Sequence, residues 1–397
     1  MLQGKRIVLG VCGSIASYKA ADLASKLTQQ GAEVDAILTA AAQQFVAPLT
    51  FRSITRRFVY TDMFDSDAPL AEAHVEVARA ADAVLIAPAT ATTVARIAHG
   101  LADDMLSLTV LATTAPVLLA PAMDAQMWEN AATRANLETL RKRGVAFVGP
   151  EEGRLASGRM GAGRLADSEA IIGALKQALG AKGDLSGRRI VVSAGGTQEP
   201  LDPVRFVGNR SSGKMGFAIA EAARDRGASV TLVTAPVSLR APYGVSRVDV
   251  RTTVEMASAI EQATRECDAL IMAAAPADFR PRMSSDQKIK RTAEGIVLEL
   301  VPNADIIGGL SGSFVKVGFA AETESLREHA RAKIAAKGLD LIAANDVTAT
   351  DAGFAVDTNV VTLIDAAGEV EELPVMSKYE VAQRILDRVV GLLARPA

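Results

Sequence analysis

The stretch Gly208-Asn-Arg-Ser-Ser-Gly-Lys214 has the residue types to grip a phosphate. Glycines and small hydroxyl residues ahead of a helical pattern leave backbone N–H groups free to point at an anion, and the Lys214 ammonium adds a point charge. The spacing is G-x4-G-K, yet Met215 stands where a magnesium-binding Ser or Thr completes a phosphate loop. Three readings stay open: a nucleotide-gripping turn, a P-loop kinase or NTPase, or a glycine-lined bend with a solvated lysine. A second cluster lies downstream. Ala273-Ala-Ala-Pro-Ala-Asp-Phe279 puts an acid and an aromatic at the end of an apolar run, and Gln287-Lys-Ile-Lys290 puts two lysines on one side of an extended segment. Lysines so placed stabilise charge on phosphate oxygens during group transfer, or simply face solvent.

The first half carries its own candidates. Gly10-Val-Cys-Gly-Ser-Ile-Ala16 opens a helical pattern after an apolar run and is suited to receive a phosphate. It lacks GxGxxG, which argues against ordinary NAD binding. His74, ahead of a charged stretch, is either structural or catalytic. Pro121-Ala-Met-Asp-Ala-Gln-Met-Trp128 holds the single tryptophan and reads as a loop packing against a helix.

These residues need scaffolds, and 397 residues exceed one ordinary domain. At 49% apolar and 22% charged the chain can bury large cores, built from Ala, Val, Leu and Ile because aromatics are only 4%. Gln3-Gly-Lys-Arg-Ile-Val8 opens the chain and Ser186-Gly-Arg-Arg-Ile-Val191 reopens it. Each is followed by a glycine turn, an alanine-rich helical pattern ending at glycine, and a strand (Gly31-Ala-Glu-Val; Gly227-Ala-Ser-Val). A second buried strand then follows an acid, at Asp82 and at Asp268. Apolar runs alternating with helical periods mean βαβ units and parallel sheets, so each half is read as a doubly wound α/β layer. The second half inserts Glu199–Lys214 between its first strand and helix, beyond a strand's carboxyl end, where such folds bind ligands. A Gly-rich polar linker falls at 179–187.

The net charge of −3 and the lack of a long basic run disfavour a nucleic-acid partner. No apolar stretch is long enough to span a bilayer. Met1–Ser14 enters a strand without a signal-peptide pattern. The only two cysteines, Cys12 and Cys267, are far apart and belong to no CxxC pair. A disulfide framework or structural zinc is not expected, and a cytoplasmic setting is.

Longer motifs carry a family resemblance. GGTQEPLDPVRFVGNRSSGKMG (195–216), AAAPADFRP (273–281), QKIK (287–290), VGFAAET (317–323) and LIAANDV (341–347) resemble the ligase half of the bacterial bifunctional phosphopantothenoylcysteine decarboxylase/phosphopantothenate–cysteine ligases. GSIASYKA (13–20), the His74 segment, APAT (87–90), PAMDAQMW (121–128) and GAGRL (161–165) resemble the flavin-dependent cysteine decarboxylases. The resemblance implies a flavodoxin-like decarboxylase domain at 1–180 and a Rossmann-like ligase domain at 186–397. For the ligase it implies CTP with magnesium, 4′-phosphopantothenate and L-cysteine, and an acyl-cytidylate. Asn209 would hold that intermediate and Lys288 would stabilise phosphate charge. Asp278 and Phe319 would line the nucleotide pocket, Asp278 also holding the metal. Ser211, Ser212 and Gly213 would lie near the phosphates, Lys333 and Lys337 would bind substrate, and Arg205 would lie at a dimer interface. For the decarboxylase it implies FMN on Gly13, Ser14, Thr39 and Thr90, with His74 as a base or thiol contact. Phosphopantothenoylcysteine would lie against Met123 and Asp124, pass through a thioaldehyde, lose carbon dioxide and be reduced. Trimeric N-terminal and dimeric C-terminal contacts would build a dodecamer.

Two positions depart from the family pattern. Asp124 stands where the family has an asparagine facing the substrate carboxyl end, so an ionised side chain there would repel it. Ser157, in Ala156-Ser-Gly158, stands where many relatives carry a cysteine that protonates the enethiolate, and a hydroxyl is a far weaker acid. These departures keep open an active ligase whose flavin-binding half is catalytically impaired.

Overall fold

The structure is a computed structural model that describes residues 1–64, 67, 69, 72–291, 296–322, 326–346 and 356–394. Thr323 and Val347, the last residues of two motifs, lie outside the described residues. The chain divides into two compact units, Met1–Leu179 and Gly180–Ala397.

The first unit runs β1 (Arg6–Val11), α1 (Ser17–Gln29), β2 (Glu33–Leu38), α2 (Pro48–Thr55), β3 (Val59–Tyr60), α3 (Ala73–Ala80), β4 (Ala83–Ala89), α4 (Ala91–His99), α5 (Met105–Ala112), β5 (Val117–Pro121), α6 (Ala125–Glu129), α7 (Ala131–Lys142) and β6 (Ala146–Phe147). A hairpin, β7 (Glu151–Arg154) and β8 (Met160–Arg164), then precedes α8 (Ser168–Gly180). Six parallel strands lie in the order β3-β2-β1-β4-β5-β6. Every residue of β4 is buried, as expected of a parallel strand covered on both faces. The order reverses between β1 and β4, so a crevice opens beyond their carboxyl ends.

The second unit contains β9 (Arg189–Ala194), β10 (Gln198–Pro200), β11 (Phe206–Gly208), α9 (Lys214–Asp225), β12 (Ser229–Thr234), β13 (Ser246–Asp249), α10 (Thr253–Thr264), β14 (Ala269–Met272), β15 (Phe279–Pro281), β16 (Leu300–Pro302), β17 (Val315–Glu322), α11 (Leu326–Lys337), β18 (Leu341–Asp346), β19 (Thr358–Asn359), β20 (Val361–Asp365), β21 (Val370–Glu372), β22 (Met376–Ser377) and α12 (Lys378–Leu393). Its sheet, β13-β12-β9-β14-β17-β18-β20-β21, repeats the first unit's strand order over six strands and adds two antiparallel ones. The recurring opening seen in the sequence is thus one topology used twice. The inserted segment forms an antiparallel ribbon, β10–β11, and a second ribbon pairs β15 with β16.

Local chemistry fixes the helix starts, three of which (α4, α5 and α6) border the first unit's crevice. Thr90, Asp104, Asp124 and Asn130 cap α4, α5, α6 and α7, each accepting from a backbone N–H. Thr252 with Glu255 and Ser377 with Glu380 form capping boxes on α10 and α12. Each cap is worth about 1 kcal/mol. Trp128 sits on α6, is 6% exposed in the first unit's core, and has the Arg134 guanidinium 4.8 Å from its ring centre.

Candidate active sites

In the first unit, the segments after β1, β2, β4 and β5 surround a cavity of about 1300 Å³. Gly13, Ser14, Thr39, Thr90, Met123, Asp124 and Ser157 all line it. The turn into α1 is held from inside: the buried Ser17 hydroxyl donates to the Cys12 carbonyl at 2.7 Å. A Cβ at Gly13 would meet the Ala41 Cβ at 2.4 Å, so only glycine fits between this turn and the loop after β2. Thr39 accepts from the Ala42 N–H at 3.2 Å, and the Thr90 hydroxyl takes the Thr93 N–H at 3.4 Å. Backbone N–H groups and small hydroxyls at two helix starts make a cradle for an anionic cofactor, and the cavity is large enough for a flavin nucleotide beside a substrate.

The β7–β8 hairpin closes one side of this cavity. β8 docks on the 122–125 loop through the Met123 N–H, which donates to the Gly163 carbonyl at 3.0 Å. Contact is so close that a Cβ at Gly161 would lie 2.8 Å from the Ala125 Cβ, and one at Gly163 would lie 2.1 Å from the Met123 carbonyl oxygen. The glycines of GAGRL therefore let two motifs interlock. At the hairpin tip the Ser157 hydroxyl donates to Asp124 Oδ2 at 3.1 Å, while Asp124 Oδ1 accepts the Gln126 N–H at 3.0 Å. The two positions that depart from the family pattern touch each other. Cys12 lies under this site with the Thr93 hydroxyl 3.1 Å from its sulfur, and burial pushes its thiol up to about 11, which leaves it unreactive.

In the second unit, Asp278, Phe319, Lys333 and Lys337 line one cavity of about 320 Å³ beyond β14 and β17. Lys337 pairs with Asp305 at 3.1 Å on its wall. Asn209 reaches its rim, where the side-chain amide donates to the Pro276 carbonyl at 3.0 Å. Backbone contact brings the turn in as well, since a Cβ at Gly196 would lie 2.5 Å from the Asn209 carbonyl oxygen. Ser211, Ser212 and Gly213 lead into α9, with Gly213 at φ +75° just before the helix. In this left-handed turn the Gly213 and Lys214 N–H groups donate to the Ser211 and Ser212 hydroxyls at 3.4 and 3.5 Å, at a helix start of the kind that receives anions.

Residues 1–180 match the family described as Flavoprotein, and residues 185–393 match the one described as DNA/pantothenate metabolism flavoprotein C-terminal domain. Over nearly its whole length the chain is similar to the "Coenzyme A biosynthesis bifunctional protein CoaBC" of Bacillus subtilis (strain 168), with 44% identity covering 99% of this chain and 98% of that protein. The proteins of the same name from Vibrio cholerae serotype O1 and Escherichia coli (strain K12) are 42% and 43% identical, over 97% and 98% of this chain and 98% and 97% of theirs. The chain belongs to the family of coenzyme A biosynthesis bifunctional proteins.

Within this family member, the P-loop reading of Gly208–Lys214 fails for a structural reason. The turn is fed by ribbon strand β11, not by a strand of the parallel sheet, and Lys214 Nζ pairs with Asp357 at 2.7 Å. Lys288 is exposed and lies outside the residues lining the 320 Å³ cavity. Arg205 acts inside its own chain: it chelates Asp202 through Nε (2.9 Å) and Nη2 (2.5 Å), and Nη2 also donates to the Ile289 carbonyl at 2.7 Å. His74, on α3 packed against α5, does not line the first unit's cavity.

Several lining residues carried no sequence signal. Arg96 and Arg154 line the first cavity beside Lys19 and Arg164 of the quoted GSIASYKA and GAGRL motifs, and Arg96 is paired with Asp104 at 2.7 Å. In the second unit Asn303 donates to the Ala277 carbonyl at 2.8 Å and accepts from Arg280 at 2.9 Å, fixing the Asp278 turn. Only its neighbours Pro302 and Asp305, turn formers, hinted at a loop there.

Proposed function

We propose that the second unit uses CTP to activate the carboxylate of 4′-phosphopantothenate and joins it to L-cysteine, and that the first unit decarboxylates the resulting phosphopantothenoylcysteine to 4′-phosphopantetheine. One observation carries the reading: motif residues between Gly13 and Leu165 line one crevice in the first unit, and motif residues between Ala274 and Ile342 line another in the second, each beyond the strands' carboxyl ends.

The ligase chemistry follows from leaving groups. An amine does not displace oxide from a free carboxylate at neutral pH, whereas a mixed anhydride with CMP provides an exit. The carboxylate attacks the α-phosphorus and pyrophosphate leaves; the cysteine amine then attacks the acyl carbon and CMP leaves. The Asn209 amide, already at the cavity rim, holds the acyl-cytidylate. Ser211, Ser212 and Gly213 present the start of α9 to phosphate oxygens, and Lys288 stabilises their charge. Phe319, Lys333 and Lys337 receive the nucleotide. Magnesium comes with the triphosphate and rests on Asp278, neutralising phosphate charge.

FMN, when bound, supplies the two-electron oxidation at the sulfur-bearing carbon that makes loss of carbon dioxide feasible. Gly13 and Ser14 receive its phosphate at the start of α1, with Thr39 and Thr90 beside it. Met123 and Asp124 meet the carboxyl end of the substrate, and Ser157 covers it from the hairpin. His74 serves this cavity from a neighbouring copy, a reading supported by its position outside its own chain's cavity lining. Trimeric first units and dimeric second units then build a dodecamer. A His74→Ala chain co-assembled with a Ser14→Trp chain would regain carbon dioxide release that neither shows alone; no recovery would reject shared sites. The free thiols Cys12 and Cys267 favour the cytoplasm.

Incubating the protein with 4′-phosphopantothenate, CTP, magnesium and cysteine, and weighing the products, tests both halves. CMP, pyrophosphate, carbon dioxide and 4′-phosphopantetheine are expected; CDP or a phosphorylated substrate in their place would overturn the ligase. A second reading is favoured by Asp124 and Ser157: an active ligase with a flavin-binding but impaired first unit. A yellow protein that makes phosphopantothenoylcysteine and no carbon dioxide would select it.

A further inference from the structure

Asp278 lines the second unit's cavity but is itself exposed, so burial does not place its carboxylate. Its backbone is held from behind instead. The Ala277 N–H donates to the Thr197 hydroxyl oxygen at 2.8 Å. The Asn303 side-chain amide donates to the Ala277 carbonyl at 2.8 Å, and the Asn303 N–H donates to the Asp278 carbonyl at 2.8 Å. Three backbone groups beside one exposed carboxylate are therefore fixed by Thr197, just ahead of β10, and Asn303, just after β16.

Both anchors lead to a single hydroxyl. Thr253, the first residue of α10, lies 3.0 Å from the Thr197 hydroxyl and accepts the Asn303 amide at 3.3 Å. Its own proton goes to Glu199 Oε1 at 2.8 Å, and the same oxygen accepts the Thr253 N–H at 2.9 Å. A hydroxyl has one proton and two lone pairs. With its proton committed to Glu199, the Thr253 oxygen can only accept from Thr197, whose own oxygen is left for the Ala277 N–H. Thr197, Glu199 and Thr253 are 0%, 2% and 2% exposed, so bulk water does not compete for these bonds.

We propose that Glu199, Thr253 and Thr197 are positioning residues that aim Asp278 at the bound nucleotide, an inference that rests on the ligase reading. None of the three lines the cavity. They act through Ala277, one residue before the carboxylate. Removing the Thr253 hydroxyl takes the acceptor from Thr197 and one contact from Asn303, and leaves Glu199 with the Thr253 N–H as its remaining bond to that residue. The turn that carries Asp278 can then shift, and a misplacement of about 1 Å is enough to cost a site much of its effect.

The test uses the full-length chain and measures CTP affinity by calorimetry, CMP formation, and hydrogen exchange at the Ala277 N–H. Thr253→Val, which keeps the side chain's shape, should weaken CTP binding and raise its KM about 10-fold, with kcat changed much less. Exchange at Ala277 should quicken about 10-fold or more. Thr253→Ser, which keeps the hydroxyl, should restore all three readings. In an Asp278→Ala chain, Thr253→Val should cost no further CTP affinity, because the residue it serves is gone. A purely structural role would lower the unfolding temperature and leave CTP affinity where it was. That result, or losses that add in the double variant, would overturn the positioning role. If Thr253→Val does not fold, Thr197→Val decides by the same readings, since it frees the Ala277 N–H while keeping the Glu199–Thr253 bonds. A wild-type chain that neither binds CTP nor makes CMP would instead sink the ligase reading, and the inference with it.

Discussion

Arg205 donates twice to Asp202 Oδ2, and the pair clamps both backbone polar groups of Ile289 in the QKIK segment. Asp202 Oδ2 accepts the Ile289 N–H at 3.1 Å, and Arg205 Nη2 donates to the Ile289 carbonyl at 2.7 Å. Both backbone groups of the residue between Lys288 and Lys290 are thereby fixed to the inserted ribbon segment. The lysine proposed to stabilise phosphate charge is exposed, so this clamp, and not burial, holds its backbone in place.

Asp202→Asn should therefore lower CMP formation by about 10- to 100-fold through misplacement of Lys288, with a smaller change in KM for CTP than in kcat. Equal loss in both parameters would reject a positioning role. The pH behaviour follows from sign. The Arg205 guanidinium holds the Asp202 carboxyl well below the usual carboxylate range. A depressed folded value means that the stabilisation is complete above the unfolded carboxyl value of about 4 and fades only as pH falls through the folded one. The clamp should stay intact across the neutral range, and ligase activity should show no acid limb from this group above about pH 5.

Asn209→Ala and Lys288→Ala should each reduce acyl-cytidylate formation by about 100-fold or more, the size typical of losing a group that stabilises developing charge. Carbon dioxide release from supplied phosphopantothenoylcysteine should be unaffected, because the two residues belong to the other unit. Isotope exchange between pyrophosphate and CTP in the presence of 4′-phosphopantothenate measures the first step directly.

Gly163→Ala is expected to undock the hairpin. Its Cβ would sit 2.1 Å from a backbone carbonyl oxygen, which cannot yield as a flexible side chain does. Overpacking of this kind costs about 1–3 kcal/mol. Hydrogen exchange should rise at Met123, whose N–H is held by the Gly163 carbonyl, and carbon dioxide release should fall while CMP formation is kept. Unchanged protection at Met123 would show that the interlock is softer than the distances imply.

Cys12 and Cys267 should resist alkylation in the native protein. Burial, chiefly, pushes each thiol up to about 11, leaving about one thiolate in a thousand at pH 8. Because the folded values are raised, the stability contribution is complete below the unfolded thiol value of about 8.5 and is lost as pH climbs toward 11. Unfolding temperature should accordingly begin to fall above about pH 9, and less so in a Cys12→Ala, Cys267→Ala chain.

Sequence alone determined the two α/β layers, the boundary near 180 and the inserted segment. Those features are written in local patterns: apolar runs for parallel strands, Ser, Thr, Asp and Asn at helix starts, glycines where backbones meet. Tertiary structure decided everything that depends on partners distant in sequence. It made Arg205 half of a clamp on Ile289, 84 positions away, and placed Asn209 on the Pro276 carbonyl. It left His74 outside its own chain's cavity lining. Above all, it joined Asp124 to Ser157 across 33 residues. Periodicity and spacing report only on neighbours along the chain, whereas a side-chain contact depends on which two residues the fold brings within 3.1 Å.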